Sequence, residues 1–200
     1  MGSALAALEG RDKEIGEDRI EQLLKACDEW LEAERGVITK NQEVEIIGFG
    51  AKMKTIVTGI EMFHKELDRG EAGDDMGCLL RGTKREQVRR GMVIAAVGSI
   101  KSHTKFLAQI YALTKDEGGR YAPFHNGYRP QLFIRTADVT ATLNFPDGTP
   151  DADEKMVVPG DNIELAITVH TDIALEEGSR FTLREGGRTV GTGIVTKIIE

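Results

Sequence analysis

Apolar residues never run uninterrupted for the roughly eighteen positions that a membrane-spanning helix needs, so a membrane is not an expected partner of this chain. The amino terminus, Met1-Gly2-Ser3-Ala4-Leu5-Ala6-Ala7-Leu8 followed by Glu9, also lacks the basic flank of a secretory signal. Cysteine is scarce: Cys27 and Cys78 lie far apart, with no Cys-x-x-Cys spacing. That excludes a disulfide-dense secreted scaffold and points to a reducing compartment. A basic surplus is absent as well, since 26 Lys and Arg face 33 Asp and Glu for a net charge of -7. Phosphate contacts draw on cations, so this balance argues against a general nucleic-acid binder and makes DNA an unexpected partner. Any contact with RNA must be local.

Catalytic signatures are missing too. No Gly-x-x-x-x-Gly-Lys-Ser/Thr string occurs, the loop whose backbone amides and lysine cradle nucleotide phosphates, so nucleotide hydrolysis by this chain is not expected. The pattern Asp-x-x-Gly occurs at Asp74 to Gly77 and at Asp116 to Gly119, but two fixed positions recur by chance in a glycine-rich chain. His64, His103, His125 and His170 are scattered without the spacing of a zinc site, so no metal is expected. Ser3, Ser99, Ser102 and Ser179 lie outside any Gly-x-Ser-x-Gly elbow. No catalytic residue is assigned.

What is present is patterned polymer with many tight turns. At 40% hydrophobic and 200 residues, the chain can form one large domain or two small ones. Over 18–31 the apolar residues Ile20, Leu23, Leu24, Cys27, Trp30 and Leu31 recur at three- and four-residue steps, which predicts one amphipathic helix. From about Glu43 the chain turns to short β-branched and aromatic runs punctuated by glycine, proline and aspartate, the pattern of an antiparallel barrel. Runs at 44–47, 54–60, 77–81 and 92–97 make a first group; 98–103 reads as a linker. Runs at 105–113, 131–136, 139–145, 162–169, 180–184 and 189–199 make a second, six strands that can close a barrel unaided. The expected fold is therefore mainly β, two consecutive antiparallel barrels, the first incomplete, preceded by one α-helix. The glycine turns around Gly118, Gly160, Gly178 and Gly186 supply hairpin geometry, and 147–155 reads as an exposed loop. Arg81, Lys84, Arg85, Arg89 and Arg90 crowd into ten residues with one acid, Glu86; this is either a solvated loop, which charge alone favours, or a local seat for phosphate.

Longer strings carry more information. Thr58-Gly59-Ile60-Glu61-Met62-Phe63, Leu79-Leu80-Arg81-Gly82, Lys84-Arg85-Glu86, Arg90-Gly91-Met92-Val93 and Thr114-Lys115-Asp116-Glu117-Gly118-Gly119-Arg120 follow in order. After them come Tyr128-Arg129-Pro130-Gln131, Arg135-Thr136-Ala137-Asp138-Val139-Thr140, Val158-Pro159-Gly160-Asp161-Asn162 and Arg184-Glu185-Gly186-Gly187-Arg188-Thr189-Val190-Gly191. Together they resemble the elongation factor Tu family of translation GTPases over nearly the whole chain. At the amino end Gly2-Ser3-Ala4-Leu5 and Leu8-Glu9-Gly10 resemble that family's last guanine-contacting loop and the helix after it, so Ser3, Ala4 and Leu5 are a nucleotide-binding remnant.

The resemblance implies a division into 1–34 as a remnant of the GTPase domain, 35–98 as a partial second domain and 99–200 as the third, a β-barrel. It also implies a gap: the helix passes from Leu31-Glu32-Ala33 almost directly into Glu34-Arg35-Gly36-Val37-Ile38, where the family has a linker and the first two strands of the middle barrel. Binding of aminoacyl-tRNA for delivery to the ribosome is the implied function, with elongation factor Ts as a further partner. The family's GTP and Mg2+ have no complete site in this chain, so neither is an expected cofactor and the chain is not expected to act as an enzyme. The alternatives are a module that binds elongation factor Ts, or a non-functional truncated copy of a full GTPase. Glu9-Gly10-Arg11-Asp12 with Glu14-Ile15-Gly16 resembles the mitochondrial branch, with bacterial cytoplasm or plastid as the other placements.

Roles follow residue by residue. Arg90 and Gln87 match the segment beside the charged 3′ end of tRNA, Gln87 standing where the family usually has an acid, and Lys101 matches a place near the aminoacyl ester. Gln131, Thr140, Glu185 and Gly186 match positions against the sugar-phosphate backbone of the tRNA T stem, with Arg120, Arg135 and Arg188 as candidate phosphate contacts. Such contacts read shape and the 2′-hydroxyl rather than base sequence. Read without the resemblance, Gln131 and Thr140 simply alternate outward from strands and Gly186 makes a turn.

Overall fold

Short β-branched runs broken by positive-φ glycines produce a chain that is mainly strand. The computed structural model describes residues 36–71 and 73–200. The helix expected over 18–31 and the nucleotide-binding remnant Ser3, Ala4 and Leu5 lie outside the described residues. The first seven strands are β1 (Ile38–Thr39), β2 (Glu43–Gly48), β3 (Ala51–Met62), β4 (Lys65–Leu67), β5 (Arg69–Gly70), β6 (Gly77–Leu80) and β7 (Val93–Ala96). Eight more follow: β8 (Lys101–Ala112), β9 (Phe124–His125), β10 (Gln131–Ile134), β11 (Ala137–Asn144), β12 (Met156–Val157), β13 (Asn162–Leu175), β14 (Arg180–Glu185) and β15 (Arg188–Ile198).

Packing divides the chain into two compact units, residues 36–42 with Ile56–Arg81, and Glu43–Thr55 with Gly82–Glu200. In the first, β1 pairs with β5, and the later part of β3 pairs with β4 and with β6. A register shift between Val57 and Gly59 breaks the β3–β6 ladder, and there the Thr58 hydroxyl donates to the Leu79 carbonyl at 3.0 Å.

In the second unit β10, β11, β13, β8, β15 and β14 close into a barrel in that order. The period of two in the sequence fixes which side chains fill it. Phe106, Ala108, Ile110 and Ala112 of β8, Ala137, Val139, Ala141 and Leu143 of β11, and Phe181 and Leu183 of β14 are all buried. Phe106 meets Phe181 edge to face, with ring centroids 6.1 Å apart. Outside the barrel, β2 pairs antiparallel with β7, Val44 to Ile47 facing Ala96 to Val93.

Two expected boundaries are corrected. Residues 98–103 are not a linker throughout, because β8 begins at Lys101 and pairs Lys101, Ser102 and His103 with Leu175, Ala174 and Ile173. The strand expected over 162–169 runs on to Leu175, since a bulge between Thr168 and Ile173 absorbs the polar stretch that looked like its end. The short strands β1, β5, β9 and β12 are two residues each, too brief to show a period in sequence.

β2 contains one buried carboxylate. Glu45 is 1% exposed; the Gly98 backbone N–H donates to Oε2 at 3.1 Å, and Lys52 Nζ lies 3.4 Å from Oε1. The Gly98 amide is the main reason its pKa falls below the ordinary 4.5; burial opposes that shift, and Lys52 reinforces it. A folded-state pKa below the unfolded one contributes stability above about pH 4.5 that is lost as pH falls through the folded value. Acid unfolding followed by circular dichroism is expected to show this loss, and Glu45→Gln to flatten the acid limb while lowering stability at neutral pH. A second prediction tests barrel packing. A Cβ at Gly193 would lie 2.4 Å from Phe181 Cζ and 2.8 Å from the Gln109 carbonyl oxygen, so Gly193→Ala is expected to cost about 1–3 kcal/mol, read as a lower urea midpoint at unchanged m-value.

Candidate functional site

The β14–β15 turn is the natural starting point, because two consecutive glycines close it. Gly186 and Gly187 have φ of 54° and 83°. Two positive-φ residues make the tight hairpin whose twist matches its strands, and Glu185 faces Arg188 across it. A register shift between Leu183 and Arg184 re-aims the strand just before the turn. Arg184 braces the result: its Nη2 donates to the Gly187 carbonyl at 2.7 Å, and its guanidinium lies 5.5 Å from the Phe133 ring centroid.

Barrel closure brings other segments to the same place. Gln131 opens β10 and is paired on both sides, with Thr140 of β11 and with Arg184 of β14. Gln131 and Thr140 are both exposed. A groove of about 460 Å³ results, lined by Arg129, Gln131, Phe133, Arg184, Glu185 and Gly186 among others. Three stretches of chain that the sequence offers as separate candidates thus meet at one end of the barrel.

Glu185 is not free within that groove. Arg120 Nη1 donates to Glu185 Oε2 in a short ion pair and to the Tyr128 hydroxyl at 2.9 Å, while its Nε donates to the Ala122 carbonyl at 3.3 Å. The Arg120 guanidinium carbon also sits 4.8 Å from the Tyr128 ring centroid. The turn before Arg120 is fixed in its own right. The Thr114 backbone N–H and hydroxyl donate to Glu117 at 2.8 and 2.9 Å, and the Gly119 N–H donates to the Thr114 carbonyl at 2.8 Å. On the far side of Glu185, a smaller cavity of about 180 Å³ is lined by Arg120, Tyr121 and Arg188 among others.

The remaining candidates lie elsewhere. Arg135 sits past the other end of β10 with φ of 50°; its Nη2 donates to Glu176 at 2.5 Å, and it borders a separate concavity of about 690 Å³. Gln87 ends a 3-10 turn and accepts the Lys84 backbone N–H at 2.8 Å through its side-chain oxygen. Arg89 stacks 3.8 Å from the Phe49 ring centroid, while Arg90 is exposed with no ion-pair partner among the described residues. Lys101 opens β8 and is exposed. None of Gln87, Arg90, Lys101 and Arg135 lines the groove.

A family model described as Elongation factor Tu C-terminal domain matches residues 99–199, and one described as Elongation factor Tu domain 2 matches residues 33–95. The chain belongs to the elongation factor Tu family. The first match contains the whole closed barrel, and with it the groove of this elongation factor Tu family member. Tyr128, Phe133 and Arg184 were not singled out from the sequence. Tyr128 and Arg184 lie inside two of its diagnostic strings, but no spacing rule connects partners such as Arg120 and Glu185, 65 residues apart.

Burial pushes the Tyr128 phenol up to about 12, with Arg120 pulling the other way. A raised phenol pKa contributes stability below about pH 10 that is lost as pH rises through the folded value. Ultraviolet titration is expected to show a tyrosine ionising near pH 12, a phase that Tyr128→Phe removes.

Proposed function

We propose that this chain binds aminoacyl-tRNA as part of a translation elongation factor that works with the ribosome, laying the groove at the Gln131 end of its barrel along an RNA duplex. The observation that carries the reading is the convergence of Gln131, Thr140, Glu185 and Gly186 at one end of the barrel through the pairing of β10 with β11 and β14. Their chemistry suits the target. An amide, a hydroxyl and a glycine turn permit close approach to sugar and phosphate without reading bases, as a factor serving many tRNAs requires. Exposed Arg129 beside them supplies a cation for phosphate.

Arg90 and Lys101 form a second region of this reading, beside the charged 3′ end and the aminoacyl ester. Arg90 is exposed and carries charge available to phosphate, whereas Gln87 already spends its side-chain oxygen on Lys84. The described residues contribute binding rather than hydrolysis: no phosphate-cradling Gly-x-x-x-x-Gly-Lys-Ser/Thr string occurs in the sequence, and GTP and Mg2+ enter no step assigned to them.

Titration of a fluorescently labelled charged tRNA at two salt concentrations tests the proposal. Saturable binding that weakens with salt is expected, with Gln131→Ala and Thr140→Ala each costing about 0.5–1.5 kcal/mol, the usual worth of a hydrogen bond. Absence of saturable binding at low salt contradicts it, and capture of elongation factor Ts by the same tRNA-inactive chain would favour the protein-interaction module instead.

A further inference from the structure

Arg89 and Arg90 are adjacent members of the basic cluster that the sequence offers, and both are exposed. Their surroundings differ. The Arg89 guanidinium carbon lies 3.8 Å from the Phe49 ring centroid, within reach of a cation–π contact. Phe49 is held in a conformation that its side chain disfavours, with φ of 55° between Gly48 at 132° and Gly50 at 77°. A bulky residue in the left-handed region persists only where its surroundings compensate. Here the Phe49 N–H donates to the carbonyl of Asp172 in β13 at 2.9 Å, and the side chain packs against the barrel core. The ring also lies on bare backbone: a Cβ at Gly91, whose φ is 97°, would sit 2.7 Å from Phe49 Cε2 and 3.0 Å from the Ala137 Cα. The Met92 N–H closes the adjoining turn by donating to the Arg89 carbonyl at 3.3 Å.

We infer that Arg89 closes an intramolecular latch instead of meeting phosphate: with Phe49 and Gly91 it pins the turn between β2 and β3, and the segment from 89 to 92, against the barrel wall at Ala137 and Asp172. Arginine suits this task because its planar guanidinium covers the face of an aromatic ring, which the compact charge of lysine does less well. Drawing Arg89 away to reach phosphate would uncover the ring and leave the strained turn without its lid. The latch stands on this geometry alone. Its consequence for function rests on the tRNA-binding reading: Arg90 is presented from a segment fixed on both sides, at Arg89 and Gly91, so Phe49 and Arg89 are positioning residues for it.

Amide hydrogen exchange of the full chain tests the latch without tRNA, because local opening is read separately from global unfolding. Arg89→Met and Phe49→Leu each remove the stacking contact while keeping apolar volume. Each is expected to speed exchange at the Phe49 and Met92 amides roughly twofold to fivefold, the worth of an exposed cation–π contact, with the amides of β10 and β11 unchanged. The double variant is expected to exchange no faster than either single one, since both remove the same contact. Unchanged exchange at Phe49 and Met92, equal acceleration throughout the barrel, or multiplied effects in the double variant would overturn the latch. Titration of charged tRNA at several salt concentrations tests the positioning. Arg89→Met is expected to keep the salt slope of the unaltered chain, whereas Arg90→Met lowers it by about 1; a slope lowered equally by Arg89→Met marks a phosphate contact and overturns the inference. Gly91→Ala forces the ring and backbone apart, so it is expected to weaken binding about as much as Arg90→Met, and the two together no more than either alone. Independent losses would overturn the positioning role. Failure of the unaltered chain to bind tRNA would sink that role together with the tRNA-binding reading, while the exchange result still decides the latch.

Discussion

A strand in the wall of a closed barrel must be hydrogen-bonded on both edges, and in this molecule that demand falls on β10, four residues long. It joins β11 on one side and β14 on the other, so closure itself sets Gln131 between Thr140 and Arg184. The buried residues Leu132 and Ile134 hold the strand in register, because a slip of one residue would turn them to solvent and Gln131 and Phe133 inward. The exposed face of the groove is therefore a by-product of the packed face of the barrel. Mutations that loosen the core are expected to disturb the site without touching it.

Charge is organised with similar economy. Several cations near the barrel are occupied locally. Arg120 is bound to Glu185, Arg135 to Glu176 and Lys105 to Asp147, while Arg89 lies over Phe49. Exposed pairs of this kind contribute little to stability. Their larger effect is to lower non-specific attraction for polyanions, while Arg90 and Arg129 stay exposed. A net charge of -7 and a role in holding tRNA are compatible on those terms.

The longer barrel strands were legible in sequence because alternation over eight or more residues, as in β8 and β11, leaves one reading of which face is buried. The start of β8 and the far end of β13 were not legible. A bulge near Thr168 conceals the continuation of pairing behind a polar run, and bulges follow from three-dimensional twist rather than local composition. The site was legible in part. Family strings carried Gln131, Glu185 and Gly186, which line the groove, and Thr140, which pairs with Gln131 at its edge, but also Arg135, which sits at the opposite end of β10 beside Glu176. Proximity in sequence to Thr140 could not show that the turn at Arg135 points away from it. The brace formed by Arg184 on Gly187 and the clamp of Arg120 on Glu185 depend on strand pairing and were invisible before the barrel closed.

The most direct measurement of the central claim, that one end of the barrel carries the RNA contact, is amide chemical-shift mapping of isotopically labelled chain on addition of charged tRNA. Shifts are expected to concentrate at Arg129, Gln131, Thr140 and the turn from Glu185 to Arg188, with Arg135 and Glu176, at the opposite end of β10, unperturbed. Shifts centred on Arg135 and the outer concavity it borders, with the Gly186 turn unmoved, would contradict it.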